Sequence, residues 1–248
     1  MIKESHEWIP LFHIPIPKKH NPMVLISTQR RVSIRLETLK ESEDLRIEGL
    51  EAYPKVKELI SSFISKLFEE VSMKVGLEIL VNTPEGVHEG FLYAFITNAV
   101  VELLSGEFNE DLIKAATVID SLLNLEDFVY GLRRTYLASE PFIWRVGDDP
   151  ISINRKLTAY VDAIFKQQMG SSTEMQLTDL ITHLSGLTTI HIFRALRDGS
   201  ELRDLIRVYN GIWYILYEVI PPKIAENERY FIVYPDIGNV VIAEVRFH

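Results

Sequence analysis

LEILVNTPEGVHEGFLYAFITNAVVELL, from Leu77 to Leu104, decides the fold. Leu77, Ile79 and Val81 alternate in the manner of a strand with one buried face. Pro84, Gly86 and Gly90 then punctuate a turn, and the apolar run from about Phe91 to Leu104 predicts a helix. A strand that stops at a glycine-bearing loop and restarts as a helix aims backbone N–H groups at one point, a common way to hold a phosphate. Wrapping a triphosphate closely also takes glycines in series and a hydroxyl for the metal. Here Glu85, His88 and Glu89 stand instead, and two carboxylates repel phosphate.

Working outward, Pro10, Pro15, Pro17 and Pro22 block helix and predict an extended opening of short strands and turns. Met23 to Leu36 sets an apolar run before a clean alternation, a buried strand leading into a half-exposed one. Glu41 to Asp44 is a charged turn, Leu45 to Leu50 a further strand, and Pro54 sits where a helix would begin. Val56, Leu59, Ile60, Phe63, Ile64, Leu67, Phe68 and Val71 then recur at helical spacing through Tyr53–Met73. Asn109 to Leu122 reads as a helix with an asparagine cap and acids in its first turn. Phe142 to Val146 reads as a strand stopped by Gly147, Asp148, Asp149 and Pro150, after an ambiguous stretch from Phe128.

The second half begins near Ile151. Leu157, Tyr160, Val161, Ile164 and Phe165 suggest a helix over Ile153–Gln168, and Gly186 separates helices expected at Thr173–Leu184 and Thr188–Leu196. Glu201–Tyr209 is a further helix. The aromatic, β-branched GIWYILYEVI, Gly211 to Ile220, reads as a strand ended by Pro221 and Pro222. Tyr230–Val233 and Val240–Phe247 form a closing pair around Pro235–Asn239.

Composition bounds the function. The chain has 248 residues, 47% of them hydrophobic and 25% charged, enough for one large or two intimately packed cores and unlike a disordered chain. A net charge of −9 opposes non-specific nucleic-acid binding, so no nucleic-acid partner is expected. With no cysteine, disulfides, thiolate metal sites and cysteine catalysis are excluded, and a reducing, cytoplasmic setting is expected. Charges and prolines in MIKESHEWIPLFHIPIPKKH break any signal-peptide run, and no stretch approaches the roughly 20 apolar residues of a membrane span, so no membrane association is expected.

This order of elements resembles the GHMP family of small-molecule kinases, which includes galactokinase, homoserine kinase, mevalonate kinase and phosphomevalonate kinase. The family's strand-to-helix turn is usually PxGxGLGSS. The matching stretch from Pro84 to Leu92 keeps Pro84, Gly86 and Gly90 and lacks both serines. A Gly-Glu-His element of the family is matched in FHIPIPKKHNPMVLISTQRRVSIRLE by His20, preceded by Lys18 and Lys19. In the family's VHGxPSGxD stretch, Val129-Tyr130-Gly131-Leu132-Arg133-Arg134-Thr135-Tyr136-Leu137 puts a leucine where the aspartate would fall, and leucine accepts no proton. A third, glycine-rich motif falls at Tyr209-Asn210-Gly211, ahead of the Ile212 strand, or else at Pro235–Asn239. The resemblance implies an α+β fold of two halves: a mixed N-terminal sheet with helices over 1–150, with a degenerate phosphate loop at 84–92, and a C-terminal helical half closed by antiparallel strands over 151–248. It implies a cleft near Pro84 to Gly90.

Candidate ligand-binding residues follow: Lys18 and His20 at the cleft mouth, Pro84, Gly86, His88 and Gly90 in the turn, and Arg133 and Arg134 as phosphate or carboxylate clamps. The commoner reading of an adjacent pair such as Arg133 and Arg134 is a solvated loop pair, and it is preferred here over the clamp. No catalytic residue is assigned. His88 lacks a second histidine at i+4, and His183 and His191 lie on either side of Gly186, so no metal site is expected. Asp148-Asp149 before Pro150 is turn chemistry, Gly170-Ser171-Ser172-Thr173 ends in an ordinary helix cap, and Trp144, Trp213, Tyr214 and Tyr217 are strand-core aromatics. The leading expectation is a diverged, non-catalytic relative that binds a small anionic metabolite or a protein partner in the cleft. The alternatives are a working kinase with a rearranged site, using ATP and Mg²⁺, and a structural subunit whose surface helices form a homodimer.

Overall fold

The computed structural model describes residues 1–16, 19–39, 43–154, 156–168, 178–219 and 229–248. In chain order its elements are β1 (Ile2–Leu11), β2 (Met23–Leu39), β3 (Leu45–Glu48), α1 (Pro54–Val71), β4 (Gly76–Asn82), α2 (Glu89–Ser105), α3 (Glu110–Leu122), α4 (Asp127–Arg134), β5 (Phe142–Trp144), β6 (Ile151–Ser152), β7 (Thr158–Gln168), α5 (Thr178–Asp198), α6 (Arg203–Tyr217), β8 (Tyr230–Asp236) and β9 (Asn239–Phe247). Contacts divide the chain into two compact units, one of Met1–Glu7 with Arg30–Leu137 and one of Trp8–Gln29 with Ala138–His248. The sequence placed a single boundary at 150; the contacts place one at 137 and others within β1 and β2.

In the first unit, β3 runs parallel to β4, and β4 is antiparallel to the second half of β2, with Ile34 opposite Val81 and Leu36 opposite Ile79. The alternation read in the sequence sets this register, because shifting it by one residue would turn Val32, Ile34 and Leu36 out to solvent. Proline at the first position of α1 needs no amide partner, and Val56, Ile60, Phe63 and Ile64 are its buried stripe. α2 is buried all round from Gly90 to Val101, as its unbroken apolar run requires, and packs against α1 and α4. The Asn109 side chain accepts hydrogen bonds from the N–H groups of Asp111 and Leu112 at 3.1 Å, capping α3 as expected.

In the second unit, the start of β2 is antiparallel to β5, β5 to β6, and Ser27–Thr28 of β2 runs parallel to Thr158–Ala159 of β7. β9 lies between β7 and β8 and is antiparallel to both, β8 and β9 being a hairpin joined tightly across Ile237 and Gly238, whose φ of 68° favours glycine. α5 and α6 pack on one another, and Phe193, Ile206, Tyr209 and Trp213 share a core with Ile232 and Val241.

Four expectations are corrected. β1 is one ten-residue strand, not short strands and turns, and Pro10 is accommodated within it. Of the stretch expected as a helix over Ile153–Gln168, Thr158–Gln168 is strand: a register shift between Val161 and Ala163 resets the parity of β7, so Val161 and Ile164 both pack on the core and mimic an i, i+3 helical spacing. α5 continues through Gly186, since the contacts of Ile181, Ile192 and Phe193 outweigh one glycine's helix penalty. Gly211–Tyr217 belongs to α6. Ile206, Tyr209, Trp213 and Leu216 bury one helical stripe while Tyr214 and Ile215 stay 54% and 49% exposed, so packing overrides the β-propensity of the aromatic run. Tyr209-Asn210-Gly211 therefore leads into no strand. Lys18, the 170–173 loop, Pro221 and Pro222, and the start of the 41–44 turn lie outside the described residues. No helix among the described residues is long and apolar enough to cross a membrane.

Candidate functional site

The turn between β4 and α2 has the expected geometry, but its donors are engaged from within the first unit. His88 is the N-cap of α2, and its Nδ1 accepts from the N–H of Phe91 at 3.1 Å. The N–H of His88 donates to Glu7 Oε1 at 2.7 Å, and Glu7 is only 1% exposed. Val87 N–H donates to the Tyr53 hydroxyl at 3.0 Å, and that hydroxyl donates to the Pro84 carbonyl at 2.9 Å. Arg30 Nη1 donates to the Gly86 carbonyl at 2.6 Å and stands 3.8 Å from Glu7 Oε2. A helix N-terminus with its positive dipole end is thus met by the protein's own carboxylate, where a bound phosphate would otherwise compete.

The turn's glycines have packing reasons. Gly86 has φ of 73°, a conformation that side chains disfavour. A Cβ on Gly90 would stand 2.8 Å from Phe128 Cε2 and 3.2 Å from Leu132 Cδ1, so glycine there permits close approach of α2 and α4. His88 meets the edge of the same Phe128 ring, with centroids 5.9 Å apart.

Arg133 and Arg134 lie on α4. The Arg133 guanidinium is fully buried, with Nε and Nη2 on the two oxygens of Asp120 at 2.5 and 2.7 Å and Nη1 on Asn98 Oδ1 at 2.6 Å and Thr97 Oγ1 at 3.0 Å. The face of Phe63 lies 4.8 Å away. Burial alone would lower its pKa, and the Asp120 carboxylate more than reverses this, so the charge is held firmly. Its donors face inward, away from any incoming ligand. Arg134 pairs with Glu110 at 2.8 Å.

In the second unit, a cavity of about 660 Å³ has His20, Trp144, Asp149, His183, Leu187 and Ile190 among its lining residues. Lys19 pairs with Asp179 at 2.9 Å. Trp144 Nε1 donates to the Asp148 carbonyl at 3.0 Å, and Asp148 holds Arg145 at 2.9 Å. Among the described residues, no group of three or more His, Cys, Asp or Glu is placed to hold a metal.

The structure therefore gathers Pro84, Gly86, His88 and Gly90 into one turn, commits Arg133 and Arg134 to partners on α3 and at its start, and puts His20 on the second unit's cavity. Sequence reasoning missed Glu7, Arg30, Tyr53 and Asp120. Asp120 left a signal: it continues the apolar stripe of Ile113 and Ala116 on α3, where a lone acid calls for a buried cation. Glu7 left none, its partner being 81 residues away.

No family model and no curated protein matches the sequence. Solved structures do. Methanococcus jannaschii mevalonate kinase superimposes with a TM-score of 0.61 at 10% identity, covering 100% of this chain and 96% of the other. Streptococcus pneumoniae phosphomevalonate kinase gives 0.61 at 9% identity, covering 100% and 92%. A D-glycero-D-manno-heptose 1-phosphate kinase from Bacteroides thetaiotaomicron gives 0.62 at 11% identity, covering 98% and 87%. The fold is that of the GHMP kinases. At these identities the likeness is one of backbone.

Proposed function

We propose that this GHMP-fold protein carries out no ordinary ATP-dependent phosphotransfer and acts as a binding protein. The observation that carries the reading is the 2.7 Å hydrogen bond from His88 N–H to the buried Glu7 carboxylate, at the helix start where a kinase of this fold would be expected to grip phosphate. An incoming phosphate would have to displace that carboxylate and would meet Glu85 and Glu89 beside it. The leucine at position 137 and the inward-facing Arg133 support the same reading, since neither supplies a base or a free clamp. A small anionic metabolite is accordingly disfavoured at this turn, and the binding role falls to another part of the protein or to a protein partner.

A thermal-shift titration with Mg²⁺ and ATP tests this, because a ligand that binds only the folded state raises Tm by mass action. The expected result is a flat Tm to millimolar nucleotide and no ATP consumed. A concentration-dependent rise accompanied by ADP release would establish the working-kinase alternative instead. Sedimentation would identify the structural-subunit alternative if it gave an obligate dimer whose Tm responds to no small molecule.

A further inference from the structure

We propose that the cavity beside α5 in the second unit binds a small amphipathic cation, an apolar ring or chain bearing one amine. Its volume of about 660 Å³ lies within the range of small-molecule sites, roughly 300–1,000 Å³. Ile143, Trp144, Leu187 and Ile190 give it apolar walls, and Leu187 and Ile190 remain 42% and 37% exposed, leaving surface that an occupant would cover. Glycine is the least favourable helix-interior residue after proline, yet Gly186 stands within α5 where the cavity lies. A Cβ there would meet Pro22 at an unstrained 3.8 Å, so packing does not demand the glycine. Its absent side chain keeps the space open.

The charges at the mouth select the ligand's polar group. Arg145 and Asp148 neutralise one another through paired hydrogen bonds at 2.9 and 3.3 Å. Asp149 is exposed and has no ion pair among the described residues, so its carboxylate is the acidic group of the lining beyond the Arg145–Asp148 pair. The chain's net charge of −9 favours the approach of a cation as well. His183 adds ring nitrogens that can accept or donate a hydrogen bond. The occupant's chemistry is therefore opposite in charge to that of a phosphorylated metabolite, and the cavity's ligand does not depend on the state of the 84–90 turn.

Three probes with one ring system separate the terms: naphthylmethylamine, naphthylmethanol and naphthoate, titrated by ligand-observed NMR against the intact chain. The amine is expected to bind about fivefold more tightly than the carboxylate, the alcohol falling between, as a partly exposed charge contact would give. Asp149→Asn should collapse that preference to less than twofold with little change for the alcohol. Gly186→Phe, which fills the space, should abolish binding of all three while the circular dichroism stays wild-type; Leu187→Asn at the exposed rim, which removes apolar wall without adding charge, should weaken all three alike if the phenylalanine variant does not fold. No binding by any probe at millimolar concentration, or binding indifferent to both the filling and the rim variants, overturns the site. An amine preference that survives Asp149→Asn overturns the assignment of the cation. Nucleotide takes no part in these titrations, so their failure is distinct from failure of the binding-protein reading.

Discussion

Where α2 begins, backbone donors that could hold an external anion are met by Glu7, Tyr53 and His88 of the same unit; where α5 passes Gly186, about 660 Å³ is left between apolar walls. The first region has the strand-to-turn-to-helix shape of an anion site, and its polar groups are engaged within its own fold. The second keeps empty volume at a cost in helix propensity. Binding capacity is better judged from which groups are already satisfied than from which backbone shape survives, because a donor with a buried partner must break that bond before it can bind anything else.

The largest test of this contrast is Arg133. Its guanidinium organises Asp120, Asn98, Thr97 and Tyr93 inside the first unit, and removing it leaves the Asp120 carboxylate buried without its counter-charge. Arg133→Met should destabilise the protein by about 3–5 kcal/mol in urea titration. Lysine should recover little of that loss, because it cannot span both Asp120 oxygens and Asn98. An Arg133→Met variant as stable as the wild type, with altered ligand binding instead, would return this arginine to the list of binding groups.

Glu126 sharpens the same picture through pH. Burial, helped by the neighbouring Asp127 and opposed by Lys55, raises its pKa from 4.5 to about 7, and its Oε2 has no hydrogen-bond partner among the described residues. A raised folded-state pKa means that the folded protein holds this proton more tightly than the unfolded chain. The stability so gained is fully present below about pH 4.5 and is lost as pH rises toward about 7, a change of about 3 kcal/mol. Urea midpoints measured from pH 4.5 to 8 should decline through that window, and Glu126→Gln should remove most of the decline. A midpoint that rose with pH for the wild type and not for the variant would contradict the assigned direction.

Glu7 probes the turn itself. Glu7→Ala deletes a buried charge-assisted hydrogen bond to His88 N–H, an expected loss of about 1.5–3 kcal/mol by denaturant midpoint. It also vacates the space before α2. Millimolar pyrophosphate should then raise Tm for the variant while leaving the wild type unchanged. Equal response in both proteins would mean that Glu7 does not stand in an anion's place, and the contrast between the two regions would fail on that side.

How much of this was readable in advance depends on how local each signal is. Pro54 at the start of α1, the Asn109 cap of α3 and the alternation in β2 lie within a few residues of what they determine, and the structure follows them. β7 was misread because a bulge between Val161 and Ala163 gives a strand the spacing of a helix, and α6 because its apolar stripe is built from β-favouring residues. The order of elements conveyed the fold through a resemblance in spite of degenerate motifs. Of the site, the turn from Pro84 to Gly90 was legible as a shape. Its occupancy was not, since Glu7, Arg30 and Tyr53 reach it from 81, 56 and about 31 residues away, beyond any sequence periodicity. Gly186 was legible as a glycine and misread as a break, because the sequence does not reveal that packing on both sides carries the helix across it.

Gly186→Ala is the smallest expected effect and bears on the open side of the comparison. If the glycine served packing, an added methyl would clash and destabilise. The nearest atoms are Pro22 Cδ at 3.8 Å and Cγ at 4.0 Å, ordinary contact distances, and the residue is helical with no positive φ. Alanine should therefore stabilise the protein by about 0.5–1 kcal/mol, through helix propensity and a less flexible unfolded chain. The same methyl would stand against Pro22, another residue of the cavity lining, and should weaken the naphthyl amine by a few-fold, an opposite movement of stability and affinity from a single group. Alanine that destabilises would show the glycine to be structural, and the open volume would then be a consequence of packing with no bearing on a ligand.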